Sequence, residues 1–390
     1  MTVVKTERAM PLVKFTEGFK YHGRITSRDD LTDILKEALR QKASNVYIQP
    51  QKPIIFMIDN ALYALGEQFV SFKDMEQLCF WSSGLEGAMA QINSGESVNG
   101  RYEVLIKPEN VIEAPVRLGF RVNISGITSG GNKSAQIVIR PISANPPLPH
   151  QVGLDDEIVN NMCSPNGISI IAGATGDGKT TTFASVIRYI MEGDTAIKGS
   201  IIEHAEPIEF TYDNIVSSHS ILVQSSIPEN FQSFSDANVE AMRRKPALIV
   251  IGELRDEESI QAAVEAAKTG HPVFGTVHAV DPTVVVSRLI SRFPLEQHSA
   301  AINDICTALR FIMAQKLVPC LSGGLIAARS FIYLEKEHRK RLALLSKLED
   351  VSREMEKLMD EAGHTFAQEA ERLFEAGLIS DEVALSIRRL

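Results

Sequence analysis

The chain has 390 residues, 44% of them apolar and 23% charged, with a net charge of −9. That length allows two or three domains with real cores. The acidic balance counts against a protein that grips nucleic acid along its surface. No stretch of about 18 residues is continuously apolar, and Cys79, Cys163, Cys306 and Cys320 form no C-x-x-C pair, so neither a membrane span nor a zinc knuckle or disulfide framework is expected.

The opening MTVVKTERAMPLVKF lacks the apolar core and cleavage site of a secretory signal, so a cytoplasmic protein is expected. Residues 1–26 carry little pattern and read as a loose arm. Ser27, with Asp30 three residues on, reads as a helix cap. Leu31, Ile34, Leu35, Ala38 and Leu39 follow at helical spacing, which buries one face. NVYIQP and PIIFMIDNALYAL read as strands, the second broken by a turn at Asp59-Asn60; RYEVLIK, VRLGFRVNISGI and AQIVIRPI continue the pattern. Residues 27–144 therefore form a small α+β domain.

NPPLP, within the 145–150 linker, is stiff and non-helical, and marks a domain boundary. Beyond it GISIIAG, SIIEH, ALIVIGE and PVFGTVH are short β-branched runs separated by helical segments. That alternation implies a parallel sheet covered on both faces, an α/β domain over 151–334. From 335 to 390 the composition turns charged. Leu344, Leu348, Val351, Met355 and Leu358 form a helical seam that packs on its own domain or on a neighbouring subunit. A short helix, a break at Gly377 and another helix complete the tail.

Gly173, Ala174, Thr175, Gly176, Asp177, Gly178, Lys179, Thr180 and Thr181 match the phosphate-loop pattern, after an apolar run and before a helical segment. The glycines let several N–H groups point inward, and the helix N-terminus adds its positive end. Lys179 is placed on the β- and γ-phosphates of ATP, and Thr180 on Mg²⁺. Asp177 introduces a carboxylate among anion-binding groups. It has two readings: a solvated loop tip pointing outward, or a partner for a cation, such as an arginine of an adjacent subunit. ALIVIGELRD ends in Glu253, read as a carboxylate at the tip of a strand beside the phosphate-loop strand, where it polarises water or orders Mg²⁺ through water. EPIEF supplies Glu209, a candidate base for the attacking water, and Glu206. His271 and His278 flank one short strand, seven residues apart, which is poor geometry for a shared metal. It suits one residue sensing the γ-phosphate and one touching a partner.

The phosphate loop, EPIEF, VIGELRD and TGHPVFGTVH, in this order, resemble the type II/IV secretion ATPase superfamily, with its Asp box, atypical Walker B and His box. The resemblance is greatest to the pilus-retraction (PilT-like) branch and its Dot/Icm and conjugation-system relatives (DotB/TraJ-like). It covers roughly residues 31–334. ASNVYIQP resembles the start of that family's PAS-like N-terminal domain, and AQKLVP the close of its motor domain. The resemblance implies a RecA-like P-loop motor domain behind a PAS-like domain, and a homohexameric ring with ATP held between the two domains. It also makes Glu253 the Walker B glutamate and Glu209 the Asp-box glutamate. Arg121 and Arg140 match arginines that help form the nucleotide site at the subunit junction, where an arginine stabilises charge on the γ-phosphoryl group. The sequence departs from the family at Ala205-Glu206, where an acid pair is usual before the proline, with Glu203 and His204 preceding it. It departs again at Lys245-Pro246-Ala247 and at Asp177, where serine is usual. The charged tail after Leu334 does not map onto the retraction branch by these motifs.

These readings converge on an ATPase that drives a secretion, conjugation or pilus machine. It would work at the cytoplasmic face of a bacterial inner membrane, through platform or channel partners, without direct nucleic-acid binding. The alternatives are a nucleic-acid-translocating motor, which the acidic charge opposes, and a weakly catalytic ATP-binding assembly factor, supported by Asp177 and the altered Asp box.

Overall fold

The computed structural model describes residues 10–59, 61–106, 116–143 and 145–390. They fall into two compact units, Met1–Ala144 and Asn145–Leu390.

In the first unit α1 (Arg28–Arg40) precedes β1 (Asn45–Ile48), β2 (Ile55–Ile58) and β3 (Ala61–Ala64). Then come α2 (Phe72–Ser83), α3 (Ala88–Asn93), β4 (Val98–Ile106), β5 (Val116–Ser129) and β6 (Asn132–Ile142). Helix α1 starts where the sequence places it. The Ser27 side chain accepts from the Asp30 N–H, and the Asp30 carboxylate accepts from the Ser27 N–H. The strands form one antiparallel sheet in the order β3-β2-β1-β6-β5-β4. Leu31, Leu35, Leu78 and Ile92 from the helices pack with Val46, Phe56, Phe120 and Ile137 from the sheet. The expected loose arm needs correction over its described part. The Pro11 carbonyl accepts from Ala64 N–H at 2.8 Å, Val13 N–H donates to the Ala64 carbonyl at 2.9 Å, and Thr16 N–H donates to the buried Glu37 carboxylate at 2.9 Å. These bonds add residues 11–13 to the edge at β3. Residues 1–9, Asn60 of the expected turn and Lys107 of RYEVLIK lie outside the described residues.

The second unit contains α4 (Asp156–Met162), β7 (Gly167–Ala172), α5 (Lys179–Glu192), β8 (Gly199–Ala205), β9 (Ser220–Ser226) and α6 (Phe234–Met242). It continues through β10 (Pro246–Ile251), α7 (Glu257–Lys268), β11 (Pro272–Val277), α8 (Pro282–Ile290), α9 (His298–Ala308), β12 (Leu309–Pro319) and β13 (Leu325–Tyr333). It closes with α10 (Lys336–Ala343), α11 (Leu348–Ala362), α12 (Phe366–Glu375) and α13 (Asp381–Arg388). The strand order is β13-β12-β7-β11-β10-β8-β9. Six strands run parallel and β13 pairs antiparallel with β12, so the expected parallel sheet is a mixed one. Both faces are covered. Ile168 and Ile170 enter a core with α6 to α9, while Ile171, Phe274 and Met313 face α4 and α5.

The tail does not follow one continuous seam. Helix α10 ends at Ala343, Leu344 is 77% exposed, and α11 begins only at Leu348. A single straight helix would carry Val351, Met355 and Leu358 away from the core that Leu342 enters. The turn folds α11 back, where Arg341 pairs with Glu354 at 2.6 Å and Glu361 at 2.7 Å. Leu342, Val351, Met355, Leu358, Leu373 and Ile387 all join the core of the second unit.

Candidate nucleotide site

The loop 173–178 leaves the end of β7 and enters α5, whose first residue is Lys179. Its shape depends on β12. Gly173 passes so near that strand that a Cβ there would stand 2.6 Å from the Gln315 carbonyl oxygen. The buried Gln315 side chain then works in two directions. Its Nε2 donates to the Asp177 carbonyl at 2.6 Å, and its Oε1 accepts from the Thr182 hydroxyl at 2.9 Å and from Arg329 Nε at 2.9 Å. Arg329, also buried, donates onward to the carbonyls of Gly153 and Val152, at 2.6 and 2.5 Å.

Asp177 does not point outward as a solvated loop tip. Its carboxylate is half-buried and accepts from the Ala174 N–H at 2.8 Å and from the Leu317 N–H at 3.3 Å. The side chain is therefore turned onto the loop's own backbone and onto β12, and it braces the loop. The repulsion a carboxylate would exert on phosphates is avoided because its oxygens are taken up by backbone donors.

Lys179 Nζ donates to the carbonyls of Gly173 and Ala174, at 2.9 and 2.8 Å. Burial pulls its pKa below the usual lysine range, while Asp177, Glu253 and Glu209 act in the opposite direction. Three acids from three separate segments thus act on one ammonium group. Thr180, in the first turn of α5, is half-buried, and Ala174, Thr175 and Gly176 form an exposed crest. Beside them opens a cleft of about 600 Å³, lined by Gly173, Ala174, Thr175, His278, Val284 and Arg288, a volume suited to a small-molecule ligand.

Glu253 stands just past β10. The backbone on either side fixes it: Gly252 N–H donates to the His204 carbonyl at 2.8 Å and Leu254 N–H to the Thr276 carbonyl at 2.9 Å. The Thr276 hydroxyl donates to the Gly252 carbonyl at 2.5 Å. The strands beside β7 are β12 and β11, and β10 lies one beyond β11, which corrects the expected placement of Glu253 on a neighbouring strand; β11 stands between. That intervening strand delivers His278, whose Nε2 lies 3.4 Å from Glu253 Oε1. His271 is not brought to this group. It precedes β11 at the opposite edge of the sheet, where its carbonyl accepts from Gly167 N–H at 3.3 Å. The six strand residues between the two histidines span about 20 Å.

The segment after β8 carries Glu206, paired with Arg255 at 2.9 Å, and the half-buried Glu209. Within β8, Glu203 and His204 are both buried, and burial pushes the His204 imidazole down to about 4, leaving it neutral. Arg121 and Arg140 belong to the first unit, where they are direct cross-strand partners on β5 and β6. Arg101 on β4 pairs in register with Arg121, so three arginines share one row on one face of that sheet. Arg101 was invisible to motif reading because only strand register aligns it. Gln315 and Arg329 were also missed. Their findable signal is a polar residue inside an apolar strand run, FIMAQKLV for the first and AARSFIY for the second.

A glycine-rich loop between a buried parallel strand and a helix, with a carboxylate at a nearby strand tip, defines a P-loop nucleotide-binding protein. The sequence profile of the Type II/IV secretion system protein family matches residues 132–382, and the chain belongs to that family. The crystal structure of the ATPase DotB of Yersinia pseudotuberculosis is 43% identical and covers 98% of both chains, with a TM-score of 0.81. The structure of the pilus retraction motor PilT with bound ADP is 27% identical, covers 91% of this chain and 96% of its own, and has a TM-score of 0.76. The type IV pilus retractation ATPase PilT of Pseudomonas aeruginosa is 25% identical over 303 residues, 78% of this chain and 82% of that protein.

Proposed function

We infer that the chain is an ATPase of the type IV pilus and secretion class, which hydrolyses ATP to drive a secretion, conjugation or pilus machine. The observation that carries this reading is the phosphate loop between β7 and α5, ending in Lys179, with Glu253 and His278 paired at the tips of the neighbouring strands. Relatives named as pilus and secretion ATPases, one of them holding ADP, support it. Loop N–H groups and Lys179 take the phosphates. Glu253 polarises the attacking water, Glu209 orients it, and His278 beside Glu253 senses the γ-phosphate.

Among the described residues no cluster of three or more His, Cys, Asp or Glu is arranged to hold a metal by itself. That donor chemistry fits Mg²⁺, which is usually held by one or two protein groups together with substrate phosphates. Thr180 would hold it directly and Glu253 through water. When bound it neutralises charge on the β- and γ-phosphates.

The remaining parts belong to the same proposal. Residues 27–144 act as a PAS-like domain, 151–334 as a RecA-like motor and 335–390 as a helical extension, joined by the 145–150 linker. Six copies form a ring, and Arg121 and Arg140 serve the nucleotide of a ring junction, with Arg101 in the same row. His271 is available for partner contact. The linker is tied to the motor at α5, and the residues just after it are held by β13. Arg188 on α5 donates to the Pro146 carbonyl at 2.7 Å, and Arg329, bonded to Gln315, holds Val152 and Gly153. Among the described residues no helix is long and apolar enough to cross a membrane, so we place the ring at the membrane face through inner-membrane partners.

Lys179→Ala tests the site. ATP binding or turnover should fall at least about 100-fold with the circular-dichroism spectrum and thermal midpoint retained, because the lysine serves the phosphates and not the core. Full activity, or an unfolded variant, would remove the assignment.

A further inference from the structure

We propose that Glu203 is a positioning residue for Glu209: from within β8 it fixes, through Gln224, the segment that carries Glu209. The proposal rests on the nucleotide-site reading, which gives Glu209 its work.

The geometry is a two-bond clamp. Glu203 and Gln224 are paired in register across β8 and β9. Gln224 Nε2 donates to Glu203 Oε2 at 2.7 Å and to the Phe210 carbonyl at 2.9 Å. A primary amide has two hydrogens, so both bonds form together. Phe210 is the residue after Glu209, and fixing its carbonyl fixes the backbone that aims the Glu209 side chain. Two residues further on, Tyr212 is buried, and its hydroxyl has no hydrogen-bond partner among the described residues.

The groups facing Glu203 can be named element by element. The segment after β8 offers Glu209 and Tyr212, both acting on it or acted on by it. Strand β9 offers the neutral Gln224, and β10 offers Val250, its apolar register partner. His204 lies on the other face of β8, against Phe231. Burial pushes the Glu203 carboxyl up to about 7; the Gln224 bond opposes that rise and the Glu209 carboxylate adds to it. Two carboxyls within electrostatic reach at a buried site do not readily ionise together. A neutral Glu203 places no like charge behind the segment that carries Glu209. An ionised Glu203 would set a negative charge behind Glu209, while its bond from Gln224 would persist.

The test uses the full chain. kcat and KM for ATP are measured near pH 6 and pH 8 for the wild type, Glu203→Gln and Gln224→Leu. The carboxyl infrared band of nucleotide-free wild type and Glu209→Gln is titrated alongside. The neutral fraction of a group with its midpoint near 7 falls about tenfold across that range. The kcat ratio, pH 8 over pH 6, should therefore be at least about threefold higher in Glu203→Gln than in the wild type, with KM little changed. Gln224→Leu should lower kcat at both pH values, again with little change in KM. The wild type should show a protonated carboxyl that titrates near neutrality, and Glu209→Gln should move that midpoint down. Equal kcat ratios in a folded Glu203→Gln, or a band that is missing near pH 6 or indifferent to Glu209→Gln, would overturn the proposal. Failure of the ATPase reading is visible separately, as a wild type with no turnover at any pH. The infrared titration needs no turnover and decides the Glu203 pairing in that case, and also if Glu203→Gln does not fold.

Discussion

The phosphate loop and the segment after β8 reach Lys179 from the same edge of one sheet, yet different chemistry holds each of them. The phosphate loop is held by backbone groups and a neutral amide: Gly173 against the Gln315 carbonyl, Gln315 on Asp177 and Thr182, and Leu317 N–H on the Asp177 carboxylate. The segment with Glu206 and Glu209 is held by a buried carboxyl through Gln224 and by the exposed Glu206–Arg255 pair. The Gln315 amide carries no charge at any pH in the working range, whereas the Glu203 carboxyl, pushed up to about 7 by burial, changes its charge within it. The difference teaches which half of the site is permanent and which can respond to its surroundings. The phosphate loop has a neutral support, while the segment that carries Glu209 rests on one that titrates.

The strongest way to break that comparison is Gln315→Leu. It strands the Thr182 hydroxyl, the Arg329 Nε–H and the Asp177 carbonyl, and each buried group left without a partner costs about 1–3 kcal/mol. A total loss of about 3 kcal/mol is expected in urea denaturation, allowing for partial relaxation, and it should be the same near pH 6 and near pH 8. A loss that changes with pH would place titration in the phosphate loop as well. Glu203 supplies the contrast, with its sign fixed by linkage. Its folded value of about 7 exceeds the ordinary 4.5, so its contribution to stability is fully present below about 4.5 and is lost as pH rises through about 7.

A smaller effect is expected from Asp177→Ser. The shorter side chain gives up the Leu317 bond and weakens the one to Ala174, a loss of about 1 kcal/mol with ATP turnover retained. Isothermal titration with ATP sharpens the result. Unchanged affinity agrees with a carboxylate turned onto its own backbone. A large gain would mean that Asp177 faces the phosphates.

Much of this was legible in the sequence where the cause is local. The Ser27 cap, the α1 face and the loop between β7 and α5 follow from spacing and turn chemistry over a few residues. The parallel runs GISIIAG, SIIEH, ALIVIGE and PVFGTVH became strands because β-branched residues fill a sheet buried on both faces. What escaped depends on contacts distant in sequence. Asp177 finds Leu317, 140 residues away, and Arg101 joins Arg121 and Arg140 only through strand register. Strand β9 reads as SILVQSS, a short edge run with exposed Ile221, and β12 pairs antiparallel with β13 where alternation with helices had stopped. The seam from Leu344 to Leu358 looked continuous because periodicity does not register the turn that sends α11 back onto the core.

The most direct test of a catalytic nucleotide site assembled around Lys179 is single-turnover hydrolysis by Glu253→Gln, set beside equilibrium ATP binding by the same variant. The amide keeps the shape and removes the charge at the position that faces His278. Binding should stay within about threefold of the wild type while hydrolysis falls at least about 100-fold, the lower range for loss of a positioned base. Hydrolysis at the wild-type rate would contradict the assignment and shift the work to Glu209.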